Sequence, residues 1–244
     1  MSDCSTLSKA PIVEALFDIN VQQNPELTIE ELEAIHEEIQ ERFSEKGRKI
    51  TAQISFSPDS PMPPAKHETL GFFFKSTSEN KIFQARVNGF TFNKLFPYQT
   101  WDAFKGEARE LWELYASVAK PISITRIALR YINKIMIPLP IKEFGEYFKT
   151  LPQLSPDVPQ NLNAFLMRLE IPDPESGAMG IIIQTIESST DDGFLPVILD
   201  IDVILQCDYK VDDSTVWEDF EKLRNYKNLL FFESITGKSL ELIR

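Results

Sequence analysis

One stretch constrains the fold more than any other. Ser123 to Pro138, SITRIALRYINKIMIP, alternates with a period of two along its whole length. Ile127, Leu129 and Tyr131 fall on one face, and Arg126, Ala128, Arg130, Ile132 and Lys134 on the other, which is the pattern of a β-strand packed on one side. Such a strand needs a core beneath its first face and presents two arginines on its second. It stands at the middle of a chain of 244 residues, and the pattern before it returns after it.

The chain before it begins with a strand over Pro11 to Val21, whose face Val13, Ala15, Phe17, Ile19 and Val21 is wholly apolar while Glu14, Leu16, Asp18 and Asn20 face away. Thr28 with Glu31 three residues later reads as a capping box opening a helix. Its stripe is Ile29, Leu32, Ile35, Ile39 and Phe43, and Gly47 is expected to end it. A second strand is expected over Lys49 to Ser57, with Ile50, Ala52, Ile54 and Phe56 on one face. Four prolines between Pro58 and His67 then require a loop. Leu70 to Ser76 and Lys81 to Asn88 form a hairpin over Ser78 to Asn80, Phe90 to Leu95 adds a strand, and Thr100 caps a long helix ended by Pro121. After the central strand come a short helix over Ile141 to Lys149 and a second proline-rich loop over Leu151 to Gln160. Strands follow over Asn163 to Ile171, Gly180 to Glu187 and Pro196 to Cys207, with turns at Pro172 to Gly177 and Asp191 to Gly193. Asp213 or Ser214 caps a last helix, and the tail SITGKSLELI reads as a short closing strand or extended segment.

The two sides of the chain echo each other. Glu14 to Ile19 matches Arg126 to Tyr131 in pattern, and Thr100 to Ala119 echoes Val216 to Thr236. Each side runs strand, helix, antiparallel strands, long helix. The expected fold class is therefore α+β: two fused helix-grip or TATA-binding-protein-like halves, 9–120 and 121–244, in one continuous unit. They would share a curved antiparallel sheet with helices on one face. This is analogy of order, and a fold of this kind does not assign a function.

If helices cover the apolar faces, strand parity puts Glu14, Asp18, Arg86, Arg126, Arg130, Arg168, Glu170, Gln184, Asp200 and Asp202 on the other face. Equivalent positions carry opposite charges, Glu14 against Arg126 and Asp18 against Arg130. Pairing of the two first strands would set acid beside base, each pair contributing about 0.2–1 kcal/mol. One reading is a solvated ladder of ion pairs. The other is a polar groove in which the arginines take an anionic or zwitterionic ligand in bidentate fashion. Asp200 and Asp202 lie about 7 Å apart on one face of their strand. That spacing lets them share a divalent cation, although partnership with the arginines is the role expected for them. Phe72, Phe73 and Phe74 are consecutive, so at least one must turn away from the core, as a lid over the sheet or part of an interface.

No motif assigns a reaction. GxSxG, GxGxxG and GxxxxGK[ST] are absent, and His36 and His67 have no neighbours at metal-ligand spacing, so no metal and no cofactor are expected. The aromatic stripes Trp101, Phe104, Trp112, Tyr115 and Trp217, Phe220, Phe231 read as core. A net charge of −12 disfavours binding to a nucleic-acid backbone. The two cysteines, Cys4 and Cys207, form no disulfide framework. Together with a polar start and the lack of an apolar run long enough for a membrane helix, they lead to the expectation of a cytoplasmic protein without membrane contact.

Three blocks carry a resemblance: KAPIVEALFDINV at the start, PYQTWDAFKGEARELWELYASVAKPISITRIALRYINKIMIP at the centre, and ILDIDV with LRNYKNLLFFESIT at the end. In combination, from Lys9 to Leu242, the chain resembles an uncharacterised, sporadically distributed prokaryotic family of full-length proteins of about this size. The resemblance implies a bacterial cytosolic protein. The family's patchy occurrence would suit a mobile-element, defence or toxin–antitoxin-like setting, and it offers no catalytic residues to carry over. The expected function is thus a binding, interaction or regulatory module with a protein partner or a second copy of itself. The alternative is an enzyme or sensor taking a nucleotide or phosphorylated small molecule on the charged face formed by Glu14, Asp18, Arg86, Arg126, Arg130, Arg168, Asp200 and Asp202.

Overall fold

The structure is a computed structural model that describes residues 7, 9–53, 66–159, 163–188 and 193–244. Within these, nine strands form one antiparallel sheet. They are β1 (Ile12–Gln22), β2 (Glu45–Gln53), β3 (Lys66–Ser76), β4 (Lys81–Arg86), β5 (Gly89–Leu95), β6 (Ser123–Pro138), β7 (Leu166–Pro172), β8 (Met179–Ile186) and β9 (Phe194–Tyr209). Their order across the sheet is β2-β3-β4-β5-β1-β6-β9-β8-β7. The alternating stretch Ser123–Pro138 is β6, and it lies between β1 and β9. Four α-helices accompany the sheet among the described residues: α1 (Ile29–Ile39), α2 (Trp101–Ala119), α3 (Thr215–Ser234) and α4 (Gly237–Leu242). The protein is thus α+β, with one large antiparallel sheet.

The core follows from the alternation. Ala15, Phe17, Ile19, Phe90, Phe92, Ile127, Leu129, Leu199, Ile201 and Val203 project from one face of the sheet and are fully buried. Phe17 is its hub: its ring lies 5.3 Å from Trp101 and 4.7 Å from Phe104 of α2, and 4.7 Å from Phe220 of α3. One side chain of β1 therefore ties both long helices to the sheet, and both expected aromatic stripes meet there. On the first side His36 of α1 stacks on Phe74 at 5.5 Å, and Phe72 and Phe74 are buried while Phe73 faces away. The Phe73 ring lies over Gly47, where an added Cβ would sit 2.2 Å from it.

The starts of α1 and α2 and the end of α2 were legible. Thr28 and Glu31 form the reciprocal capping box of α1, Thr100 accepts from the Ala103 amide at the start of α2, and Lys120 closes α2 in the left-handed conformation just before Pro121.

Several expectations are corrected. Gly47 does not end a helix: α1 stops at Ile39, and Gly47 lies within β2, under Phe73. A register shift between Lys49 and Ile50 leaves Ile50 exposed rather than in the core. A second shift, between Ile12 and Glu14, packs Ile12 rather than Val13 against the core. The helix expected over Ile141 to Lys149 is reduced to one 3-10 turn, Phe144–Glu146. The tail is not a strand but α4, whose N-cap Thr236 accepts from the Ser239 amide. Cys4, the strand end at 54–57, residues 58–65 of the first proline-rich stretch, and positions 160 and 191–192 lie outside the described residues.

Candidate functional site

The face of the sheet turned away from the helices carries nearly all the residues proposed from parity. Gln184 is the exception. It pairs in register with Leu199, on the helix side, and is buried there. The pairing of β1 with β6 also differs from the expected one. Asp18 stands across from Ala128, and Leu16 from Arg130, while Glu14 meets Ile132 and Arg126 meets Asn20. Antiparallel running of the strands sets the start of one against the end of the other, so equivalent positions of the two halves do not face each other.

The charges nevertheless find partners, diagonally. Asp18 is the centre of the first cluster. Its buried carboxylate accepts from Arg86 at 2.8 Å, Arg126 at 2.7 Å and the Thr91 hydroxyl at 2.6 Å. Arg86 also reaches Asn20 at 3.3 Å. Beside it runs a relay from Lys49 through Gln84 and Asn93 to Glu14, with steps of 2.9, 3.1 and 2.6 Å. Burial pulls the Lys49 ammonium below its ordinary range.

The second cluster lies across β6 and β9. Arg130 holds Asp200 at two points, Nε to Oδ1 at 2.8 Å and Nη2 to Oδ2 at 2.6 Å. That bond pushes the Arg130 guanidinium above its ordinary range. Asp202 is left out. Its Oδ1 is buried without a hydrogen-bond partner, and burial raises its carboxyl to about 6 against the pull of Arg130 and Arg126. With both Asp200 oxygens engaged by Arg130, the two aspartates do not present a joint cation site. Arg168 pairs with Glu170 of its own strand, on the same face but at the far edge of the sheet. Each of the four proposed arginines therefore rests on a protein carboxylate.

Beyond the ion pairs the same face mixes apolar side chains with polar ones. Register sets Lys134 beside Ile198, then Thr185, then Leu166; the neighbouring row is Ile132, Asp200, Ile183 and Arg168. Met136 stands against Pro196 one step further on. Leu166 is 73% exposed and Met136 is also exposed. Lys134, in the middle, is held by Glu187 at 2.5 Å.

A separate feature lies on the helix side. A cleft of about 750 Å³ opens where the start of α2, the 224–232 turns of α3 and the middle of β6 meet. The Tyr98 and Tyr131 hydroxyls meet there at 2.9 Å, and burial raises both phenols above their ordinary range. The Lys227 ammonium sits 4.0 Å from the centre of the Tyr131 ring, and the Arg224 guanidinium 5.1 Å from that of Trp101. Asn133, 3% exposed, donates from Nδ2 to the carbonyls of Tyr131 and Leu199. Sequence reasoning assigned Tyr131 and Trp101 to the core and passed over the rest. One signal was present: Arg224, Lys227, Asn228 and Phe231 recur at i, i+3, i+4 and i+7, a polar and an aromatic group on one helical face.

A second groove, about 840 Å³, runs beside the 173–176 turn, between β9 and α3. Cys207 lines it, with its thiol pushed up to about 11 by burial, which makes it a poor nucleophile. Lys222 there is already taken by Asp219 at 2.6 Å. His36 bonds the Phe43 carbonyl at 2.9 Å and serves as a strut between α1 and the following turn. Among the described residues no helix is long and apolar enough to cross a membrane.

No protein-family model, curated protein or solved structure matches the chain. The likeness to a sporadic prokaryotic family therefore rests on its three sequence blocks alone.

Proposed function

We propose that the chain is a protein-interaction module whose contact surface is the face of the sheet turned away from the helices, around Met136, Ile198, Ile183 and Leu166. The observation that carries this reading is a juxtaposition on that face. Its arginines are already held by the protein's own carboxylates, and beside them stand the apolar side chains Ile132, Ile183 and Ile198 with exposed Met136 and Leu166. Arginines fixed in this way give an interface its register rather than serving as receptors for a free anion. Exposed apolar side chains grouped on a polar surface mark a site of association.

The same reading takes the chain as two fused halves. Counting outward from the centre, β1 is followed by β5, β4, β3 and β2, and β6 by β9, β8 and β7. In both series the first strand lies innermost and its neighbour is the last strand of its half, as a duplication would produce. The cytosolic setting belongs to the same proposal, and Cys207 is a free thiol.

A second copy of the chain is the partner to test first. Sedimentation velocity over roughly a hundredfold range of concentration reads the association. A dimer is expected, and Met136→Glu with Leu166→Glu is expected to weaken it at least tenfold while the unfolding midpoint stays within a degree or two, since both side chains are exposed. A wild-type chain that stays monomeric throughout, or a dimer indifferent to both substitutions, overturns association through this face.

A further inference from the structure

The cleft between β6, α2 and α3 has the size of a small-molecule site, about 750 Å³ within a usual range of roughly 300–1,000 Å³. Its charge runs against that of the whole protein. The chain carries −12, yet among the described residues the cleft is lined by Lys9, Arg224 and Lys227 against one carboxylate, Asp102. Two of the cations are carried on aromatic rings, Lys227 on Tyr131 and Arg224 on Trp101, and Lys227 also donates to Asn228 Oδ1 at 2.5 Å. Arg224 reaches its nearest carboxylate, Glu221, only at 3.5 Å. It thus keeps most of its donor capacity.

Two neutral groups in the wall complement an anion's organic body. Each tyrosine hydroxyl has one hydrogen, and the 2.9 Å contact between Tyr98 and Tyr131 uses one of the two. One hydroxyl hydrogen is therefore left to donate. Asn133 spends its Nδ2 on two backbone carbonyls, and its Oδ1 takes part in neither bond. The amide oxygen of Asn133 and the spare hydroxyl donor of the tyrosine pair beside it match the edge of a planar ring that offers both a donor and an acceptor. Apolar walls come from Phe232 and from Phe96, which is exposed at the rim.

We propose that this cleft binds a small organic anion with a planar, hydrogen-bonding ring, the chemistry of a nucleoside monophosphate. Arg224 and Lys227 take the anion, and Asn133 with the Tyr98–Tyr131 hydroxyl pair reads the ring edge. The inference is independent of the interaction surface on the opposite side of the sheet.

Calorimetric titration of the full chain with AMP, GMP, CMP and UMP tests it, with the four nucleosides and ribose 5-phosphate as controls. At least one nucleotide is expected to bind at least tenfold tighter than both its nucleoside and ribose 5-phosphate. Arg224→Gln and Lys227→Gln, on the helix surface, are each expected to lower that affinity at least fivefold with the thermal midpoint unchanged. Asn133→Asp would shift the preference among the four bases. Absence of binding by all four nucleotides overturns the proposal. So does ribose 5-phosphate binding as tightly as the nucleotides, or an affinity that neither Arg224→Gln nor Lys227→Gln alters.

Discussion

Arg130 and Asp200 close a two-point ion pair across the seam between β6 and β9, although the residue that stands directly across from Arg130 in register is Asp202. The diagonal choice decides the chemistry of the whole second cluster. Asp200 is buried and fully bonded, while Asp202 keeps a buried oxygen without a partner.

Arg130→Ala leaves the Asp200 carboxylate buried and alone. Removing one member of a well-bonded buried pair costs several kcal/mol, and the 40% exposure of the arginine side chain reduces that. A loss of about 1–3 kcal/mol is expected in urea unfolding at neutral pH. The double variant Arg130→Ala, Asp200→Asn should lose less than the two single losses added together. Strict additivity would show that the two side chains do not act as a pair.

Asp202 gives the fold a pH dependence of defined sign. Its carboxyl titrates at about 6 in the folded protein against an ordinary value of 3.8. Folding therefore favours the protonated form. The contribution is fully present below the ordinary value and is lost as pH rises through about 6. Asp202→Asn is expected to raise stability at pH 8 by about 1–2 kcal/mol and to flatten the stability profile between pH 4 and 7. Thermal unfolding of both proteins across that range is the measurement; parallel profiles would refute the assignment.

Asp18 neutralises two arginines from opposite sides of β1, Arg126 on the neighbouring β6 and Arg86 on β4, beyond β5. Asp18→Ala should therefore cost more than Arg86→Ala or Arg126→Ala alone, about 3 kcal/mol, because it strands both cations and the Thr91 hydroxyl. Chemical denaturation of the three variants ranks them. A loss from Asp18→Ala no larger than that from Arg126→Ala would remove Asp18 from the centre of the cluster.

Gly180 of β8 lies directly under Leu230 and Tyr226 of α3. An added Cβ would lie 2.5 Å from Leu230 Cδ1 and 3.0 Å from the Tyr226 ring. Gly180→Ala must push the helix outward or force those side chains off their rotamers, at a cost of about 1–3 kcal/mol. Leu230→Ala in the same chain should recover part of the loss, and calorimetric melting temperatures of the single and double variants read the recovery.

Much of the architecture was legible in the sequence, because alternation and capping are local. The strand Ser123–Pro138, the hairpin over Ser78 to Asn80, the capped starts of α1 and α2, and the apolar faces of β1, β6 and β9 all follow from residues adjacent in the chain. Parity also put together on the outward face all nine charged side chains it named, from Glu14 to Asp202, and misplaced only the uncharged Gln184. Short elements fared worse. Gly47, Ile50 and the tail from Ser234 were misread because a glycine, a bulge and six helical residues carry too little pattern to be distinguished locally.

Who pairs with whom was decided only by tertiary structure. Asp18 joins Arg86 and Arg126, and Arg130 takes Asp200 over Asp202, because the register of β1 on β6 and β6 on β9 fixes which long side chains can reach. Register is a relation between segments distant in the chain, set by the packing of Phe17 against α2 and α3 and by bulges that no single strand announces. The cleft has the same origin. Tyr98, Tyr131, Asn133, Arg224 and Lys227 become one surface only when α3 folds back across the middle of β6, so the sequence determined the elements and their faces, while the joining of those elements determined the sites.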